Sequence, residues 1–147
     1  MFKSIVVGTD GSETAGVAVQ HAIDLAKQVG ARLQIVSAFE PVSGSRLREE
    51  AQQVPGDPQW MVNAREDVDA TLRDAAAESE AAGVATETYA RQGDPADAIL
   101  DVAEERGADL IVVGNKGMTG AKRFLLGSVP NKVSPHPPCS VLIVRTI

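Results

Sequence analysis

The feature that most restricts the fold of this chain is a regular alternation of strand-like and helix-like segments. Short runs of β-branched and apolar residues are followed by stretches in which apolar residues recur every three or four positions. Strands separated by helices of this length pair in parallel through right-handed crossovers. The alternation therefore predicts an α/β fold, a doubly wound parallel sheet. The strand pattern occurs at residues 4–9, 32–38, 86–91, 110–113 and 140–145.

Residues between these segments carry the signals that begin and end helices. Ser12 is placed to cap the first helix and Gly30 to end it. Asp94 followed by Pro95 is typical of the start of another helix. A chain of 147 residues has enough length for one domain with a sizeable core, so we predict a single domain over residues 1–147.

A glycine-rich stretch, residues 114–128, follows the fourth predicted strand and leads into a segment that can start a helix. Glycines let the backbone approach an anion closely, and the unpaired N–H groups at a helix start point toward it. The stretch contains Lys116, Lys122 and Arg123 and no acidic residue, although the chain carries a net charge of −6. Glycines used only for tight turns are the simpler interpretation, but this combination favours a phosphate site.

We expect backbone amides and one hydroxyl to make most of the phosphate contacts, with one lysine assisting. Pro130 fits the first helical turn, where its missing N–H costs nothing. The residues predicted to hold the phosphates are Gly114, Lys116, Gly117, Gly127, Ser128 and Val129.

A second loop, Gly8-Thr9-Asp10-Gly11, follows the first predicted strand. Ligands of doubly wound sheets lie outside the carboxyl ends of the strands, where the strand order reverses. If the first and fourth strands are neighbours, this loop faces the glycine-rich stretch. Asp10 then has two interpretations, as a turn-forming residue before Gly11 or as a ligand-binding carboxylate.

Composition and missing motifs exclude several other classes. The acidic pI of about 4.9 argues against general nucleic-acid binding, which needs a basic surface. No signal-peptide pattern or membrane-spanning apolar run is present, and the single Cys139 allows no intrachain disulfide, so we expect a cytoplasmic protein. The sequence also lacks a P-loop, a dinucleotide fingerprint, a nucleophile elbow and a Cys/His cluster with metal-ligand spacing.

Three motifs, spread over nearly the whole chain, carry a resemblance to a known family. They are Ile5-Val-Val-Gly-Thr-Asp10-Gly-Ser12-Glu, Gly114-x2-Gly117-x9-Gly127-Ser128 and Pro138-Cys-Ser-Val-Leu-Ile-Val-Arg145. In this order they resemble the nucleotide-binding branch of the universal stress proteins. The resemblance implies a Rossmann-like, five-stranded parallel sheet in the order 3-2-1-4-5 with four helices. It also implies ATP at the ends of the first and fourth strands. Pro135 and Pro137 depart from the pattern, so we expect the last helix to end early.

The resemblance further implies roles for individual residues. Asp10 would contact the ribose or hold a divalent cation, Mg or Mn. Gly8 and Thr9 would touch the nucleotide through their backbone, and Ala38 would meet the adenine edge with its main chain. The family also implies a homodimer through the last strand, Ser140 to Arg145, whose apolar residues alternate between two faces.

Three functions from different classes fit these observations. The first is an ATP-binding regulatory protein of the stress response with little or no turnover. The second is an enzyme, a slow ATPase or adenylyl-transferring protein, and the third is an interaction protein with a degenerate nucleotide site. The intact glycine pattern argues against the third, and the lack of a positioned base or nucleophile argues against the second. Cyclic AMP remains an alternative ligand that the sequence does not distinguish from ATP.

Overall fold

The computed structural model describes residues 2–39, 64–115 and 138–146, which contain five strands and three helices. The elements in chain order are β1 (Ser4–Gly8), α1 (Glu13–Val29), β2 (Arg32–Phe39), α2 (Arg65–Ala81), β3 (Thr86–Gln92), α3 (Pro95–Glu105), β4 (Leu110–Gly114) and β5 (Ser140–Val144).

All strand pairs are parallel, and the sheet has the order β3-β2-β1-β4-β5, which confirms the predicted fold class. β1 lies in the middle, where Val7 pairs with Ile35 of β2 on one side and with Val112 of β4 on the other. The strand order therefore reverses at β1. The fourth predicted helix and the prolines at 135 and 137 lie outside the described residues.

Two apolar layers form because strand side chains alternate between the faces of the sheet. On one face, α1 and α2 pack over odd-numbered residues of β1 and β2, including Val7 and Ile35, and over Val112 of β4. On the other face, α3 packs over even-numbered residues such as Val6 and Val36. The central strands are buried on both sides, as expected for a parallel sheet.

The helix boundaries follow the predicted capping residues. The Ser12 hydroxyl accepts a hydrogen bond from the Ala15 N–H at 3.1 Å, and Gly30 ends α1 in the left-handed conformation with φ 72°. The Asp94 carboxylate accepts from the Asp97 N–H at 3.1 Å, with Pro95 in the first turn of α3. Within the described segments, no helix is both long enough and apolar enough to cross a membrane.

The amino ends of β1 and β4 are joined by the carboxylate of Asp109. Its oxygens accept hydrogen bonds from the N–H groups of Lys3 at 2.9 Å and Ser4 at 3.1 Å. Burial raises the pKa of Asp109, but these backbone hydrogen bonds outweigh it, so the pKa lies below its ordinary value. The ionised carboxylate of Asp109 therefore holds the amino ends of the two strands together.

Buried polar side chains near the amino ends also have partners within the protein. The Ser4 hydroxyl donates to the amide oxygen of the buried Gln34 at 2.9 Å. On α2, the buried Ser79 hydroxyl lies 2.6 Å from the Thr86 hydroxyl, which donates to the Val84 carbonyl. The buried polar side chains at this edge of the sheet are therefore satisfied by hydrogen bonds within the protein.

Candidate functional site

The loops that follow β1 and β4 begin side by side at the carboxyl edge of the sheet. Since Val7 pairs with both Ile35 and Val112, the residues two positions later in each chain segment share one level. These residues are Thr9, Ser37 and Gly114. The adjacency on which the sequence argument depended is confirmed, and the edge forms the crevice expected at a strand-order reversal.

Gly8 is the point at which α3 comes closest to β1. A methyl carbon added to Gly8 would lie 2.5 Å from Cδ1 of Ile99 and 3.0 Å from Cγ1. A side chain here would displace Ile99, which belongs to the α3 core. Glycine at this position therefore lets α3 pack against the last residue of β1, immediately before the candidate ligand loop.

The loop after Gly8 is organised by its own side chains. The Asp10 carboxylate accepts a hydrogen bond from the Ser12 N–H at 2.8 Å, and the Thr9 hydroxyl accepts from the Gly11 N–H at 3.1 Å. Gly11 has φ +83°, a conformation that glycine adopts without strain. The turn-forming interpretation of Asp10 is thus correct, while its contact with ribose or a metal remains a prediction.

Ala38 lies beyond the last residue of β2 that pairs with β1. The Thr9 N–H donates to the Val36 carbonyl at 2.9 Å, so the backbone groups of Val36 face β1. Backbone groups alternate sides along a strand, so the N–H and C=O of Ala38 face the same side. The β1–β2 register ends at Gly8 and Val36, which leaves these two groups of Ala38 directed into the crevice.

On the other side of the crevice, Asn115 fixes the exit of β4. Its N–H donates to the Val144 carbonyl at 2.8 Å, and its side-chain oxygen accepts from the Thr146 N–H at 2.7 Å and the Thr146 hydroxyl at 3.0 Å. Sequence reasoning gave Asn115 no role. The available signal was an asparagine directly after an apolar strand, where its side chain favours backbone contacts.

The structure places five predicted site residues at this edge, in three neighbouring strands and one loop: Gly8, Thr9, Asp10, Ala38 and Gly114. The other five predicted residues lie outside the described residues, and their roles stay predictions from the sequence: Lys116, Gly117, Gly127, Ser128 and Val129.

A groove that the sequence did not predict runs between α1 and α2, beside the loop after β1. Its volume is about 210 Å³, smaller than the roughly 300–1,000 Å³ of ordinary ligand pockets. The residues that line it include Thr9, Ser12 and Thr71 and the acidic Asp74 and Glu78. Within the described parts of the chain, no three His, Cys, Asp or Glu side chains are grouped as a metal site.

Comparison with known proteins agrees with this geometry. Residues 1–145 match the model of the universal stress protein family. The chain is 37% identical to the universal stress protein YxiE of Bacillus subtilis over 150 residues, covering 99% of this chain and 100% of the relative.

Solved structures give the same result. The chain is similar to a universal stress protein crystallised in complex with cAMP, with 37% sequence identity, a TM-score of 0.74 and 99% of each chain covered. A structure of the protein MJ0577 is 24% identical with a TM-score of 0.75 over 99% of this chain and 96% of that one, and this likeness concerns the fold.

Proposed function

The chain belongs to the universal stress protein family, and on that premise we propose that it binds an adenine nucleotide, ATP in the first place, at the carboxyl edge of β1 and β4. In this proposal the protein is a cytoplasmic regulator of the stress response that holds the nucleotide with little or no turnover. Magnesium or manganese accompanies the phosphates, with Asp10 as the metal-binding or ribose-binding carboxylate.

The observation that carries the proposal is the convergence of backbone groups at the carboxyl edge of the sheet. Thr9, Ala38 and Gly114 come from three adjacent strand ends, and the backbone N–H and C=O of Ala38 face the space between them. A neighbouring donor and acceptor complement the ring nitrogen and amino group of adenine. We therefore assign the base to the β2 side of the crevice.

The phosphates belong on the β4 side. The sequence continues from Gly114 through Gly117 to Gly127 and Ser128, a spacing that predicts backbone amides at a helix start. Replacement of Gly117 or Gly127 by valine fills the space that the phosphates need and should abolish ATP binding in calorimetry. Gly16→Val is the matched control because Gly16 has open space around it. Unchanged affinity in the folded Gly117 and Gly127 variants would contradict the assignment.

Low turnover follows from what hydrolysis requires. A rapid reaction needs a base that orients an in-line water together with charge stabilisation on the γ-phosphate. The Asp10 carboxylate is engaged by the Ser12 N–H, and the proposal uses it for ribose or metal. We expect phosphate release well below ~1 per second, the lower end of ordinary enzyme rates. A faster rate with magnesium or manganese would contradict the proposed low turnover and favour the enzyme alternative.

Cyclic AMP is the second candidate ligand. It is favoured by the similarity to the universal stress protein whose crystal structure is in complex with cAMP. The same crevice suits both ligands, since both present adenine and a phosphate. Mass spectrometry of the nucleotide that copurifies with the protein distinguishes the two, and calorimetry with each ligand on the stripped protein ranks their affinities.

We further propose that two copies of the chain form a homodimer through β5. This strand pairs with β4 on one side, and its side chains Leu142 and Ile143 are 40% and 46% exposed on opposite faces. An apolar edge strand is a site for association unless another strand covers it. Pairing with β5 of a second copy would cover that edge.

The register identifies the residue that tests the dimer. The Val144 carbonyl accepts from the Asn115 N–H, so the backbone groups of Val144 face β4, and those of Ile143 face outward. Ile143→Pro removes an outward N–H and should give a monomer, whereas Val144→Pro also damages the β4–β5 pair. Light scattering on the unmodified protein gives the primary measurement, and a monomer there would refute the proposal.

A further inference from the structure

Among the described residues, three polar side chains lie in the core, and one of them differs from the other two in its hydrogen bonding. Gln34, Ser37 and Ser79 are 1%, 3% and 0% exposed. Gln34 accepts from the Ser4 hydroxyl, and Ser79 shares a hydrogen bond with Thr86. In the part of the chain that the structure describes, the Ser37 hydroxyl has no hydrogen-bond partner.

An unpartnered buried hydroxyl destabilises the fold, because it has lost its water and gained nothing in return. Alanine has almost the same shape without this penalty. Local violations of packing or hydrogen-bonding rules occur preferentially at functional sites. The position of Ser37 in the sheet then decides which function such a violation would serve.

Ser37 stands at the carboxyl end of β2, on the level of Thr9 and directly before Ala38. Both satisfied polar side chains have partners at the amino ends of β1 and β3. The unsatisfied hydroxyl thus lies at the edge of the sheet where the nucleotide crevice is, and on the β2 side assigned to the base.

The side chain of Ser37 points to the face covered by α1 and α2. Phe39, two residues later, lies on the same face and half-buried, with the Arg65 guanidinium 4.9 Å from its ring centre. Phe39 is therefore the outermost β2 side chain of the described strand on that face, between Ser37 and the crevice.

We propose that Ser37 is a nucleoside-contacting residue whose hydroxyl gains its hydrogen-bond partner when an adenine nucleotide binds. This inference rests on the proposed function and adds to it a residue that contacts the nucleoside through its own side chain. The contact lies away from the phosphates, so it contributes equally to the binding of adenosine, AMP and ATP. It also makes the ligand-free fold less stable than the same fold with alanine at this position.

The test measures the melting temperature and the nucleotide affinity of Ser37 variants. If Ser37 had only a structural role, its replacement would lower both quantities together. Ser37→Ala should raise the melting temperature of the nucleotide-free protein by about 2–4 °C. It should also weaken binding of adenosine, AMP and ATP by the same factor, roughly five- to tenfold for one hydrogen bond. Ser37→Thr keeps the hydroxyl on a strand-compatible residue and should retain affinity. Ser79→Ala is the matched control, expected to lower the melting temperature and leave affinity unchanged.

The outcomes separate the two proposals. If the unmodified protein binds none of the three ligands, the proposed function fails and the role of Ser37 fails with it. If the unmodified protein binds them and Ser37→Ala binds equally well, the role of Ser37 alone is overturned. A loss confined to ATP, a fall in the melting temperature of Ser37→Ala, or an equal loss of affinity in Ser79→Ala would also overturn it.

Discussion

The two edges of the same sheet are completed by different means. At the amino ends, Asp109 accepts hydrogen bonds from the Lys3 and Ser4 amides, and the buried Gln34 and Ser79 both have partners. At the carboxyl ends, the strands end in glycine at β1 and β4, and the buried hydroxyl of Ser37 has no partner among the described residues.

This difference indicates that the amino edge stabilises the fold and that the carboxyl edge is available for binding. Hydrogen bonds at the amino edge are internal and need no ligand, so they stabilise the sheet in every state. At the carboxyl edge, the backbone groups of Ala38 face the crevice beyond β1, where a ligand can supply their hydrogen-bond partners. The comparison predicts that substitutions at the amino edge change stability alone, and that substitutions at the carboxyl edge change binding as well.

The largest effect is expected for Gly8→Val, because the new side chain meets Ile99 within 2.5 Å. We expect a loss of about 3 kcal/mol in the free energy of unfolding, measured by urea denaturation, together with loss of nucleotide binding. Ile99→Val removes the nearest atom, so it should partly rescue Gly8→Ala. A fully stable Gly8→Val variant would show that α3 does not hold the carboxyl edge.

Asp109→Asn should remove the charge and one of the two acceptor oxygens at the amino edge, which lowers the free energy of unfolding by about 1–2 kcal/mol at pH 7. Because the pKa of Asp109 is lowered in the folded state, its contribution is present above pH ~4 and is lost as the pH falls below that value. The difference between the two proteins should therefore shrink toward pH 3.

Nucleotide affinity of Asp109→Asn should equal that of the unmodified protein, with Glu104→Gln, an exposed carboxylate on α3, as the control for charge. A loss of affinity would mean that the two edges of the sheet are coupled, which contradicts the separation described above.

Asn115→Ala removes the hydrogen bonds to Thr146 and should cost about 1 kcal/mol of stability. Because Asn115 is the second residue of the glycine-rich stretch, we also expect weaker ATP binding in calorimetry. Thr146→Val removes only the hydroxyl contact and serves as the control. Equal affinity in all three proteins would place Asn115 with the purely structural residues.

The smallest effect is expected for Gly16→Ala on α1, where an added methyl group meets nothing within 4 Å. Alanine in a helix interior should stabilise the protein by about 0.5–1 kcal/mol relative to glycine, seen as a higher melting temperature. Affinity should stay constant. A change in affinity would indicate that the α1–α2 groove beside the loop takes part in binding.

Local signals in the sequence were enough for the elements and their ends. The capping roles of Ser12 and Asp94 and the left-handed Gly30 were predicted correctly, because each depends on residues within three or four positions. The strand bounds were right within one residue, as for β2, which extends to Phe39. The glycine spacing also predicts one side of the candidate site.

Only the tertiary structure decided what lies across the crevice and beneath it. Asp109 and Lys3 are 106 positions apart, and Ile99 meets Gly8 from a different helix. Such contacts depend on which strands become neighbours, and periodicity along the chain carries no information about that order. The unpartnered hydroxyl of Ser37 and the inward-facing backbone of Ala38 are likewise consequences of where β1 ends relative to β2. The sequence alone determined the elements and the chemistry they carry, whereas strand order and register decided which of those groups meet, because non-local pairing sets both.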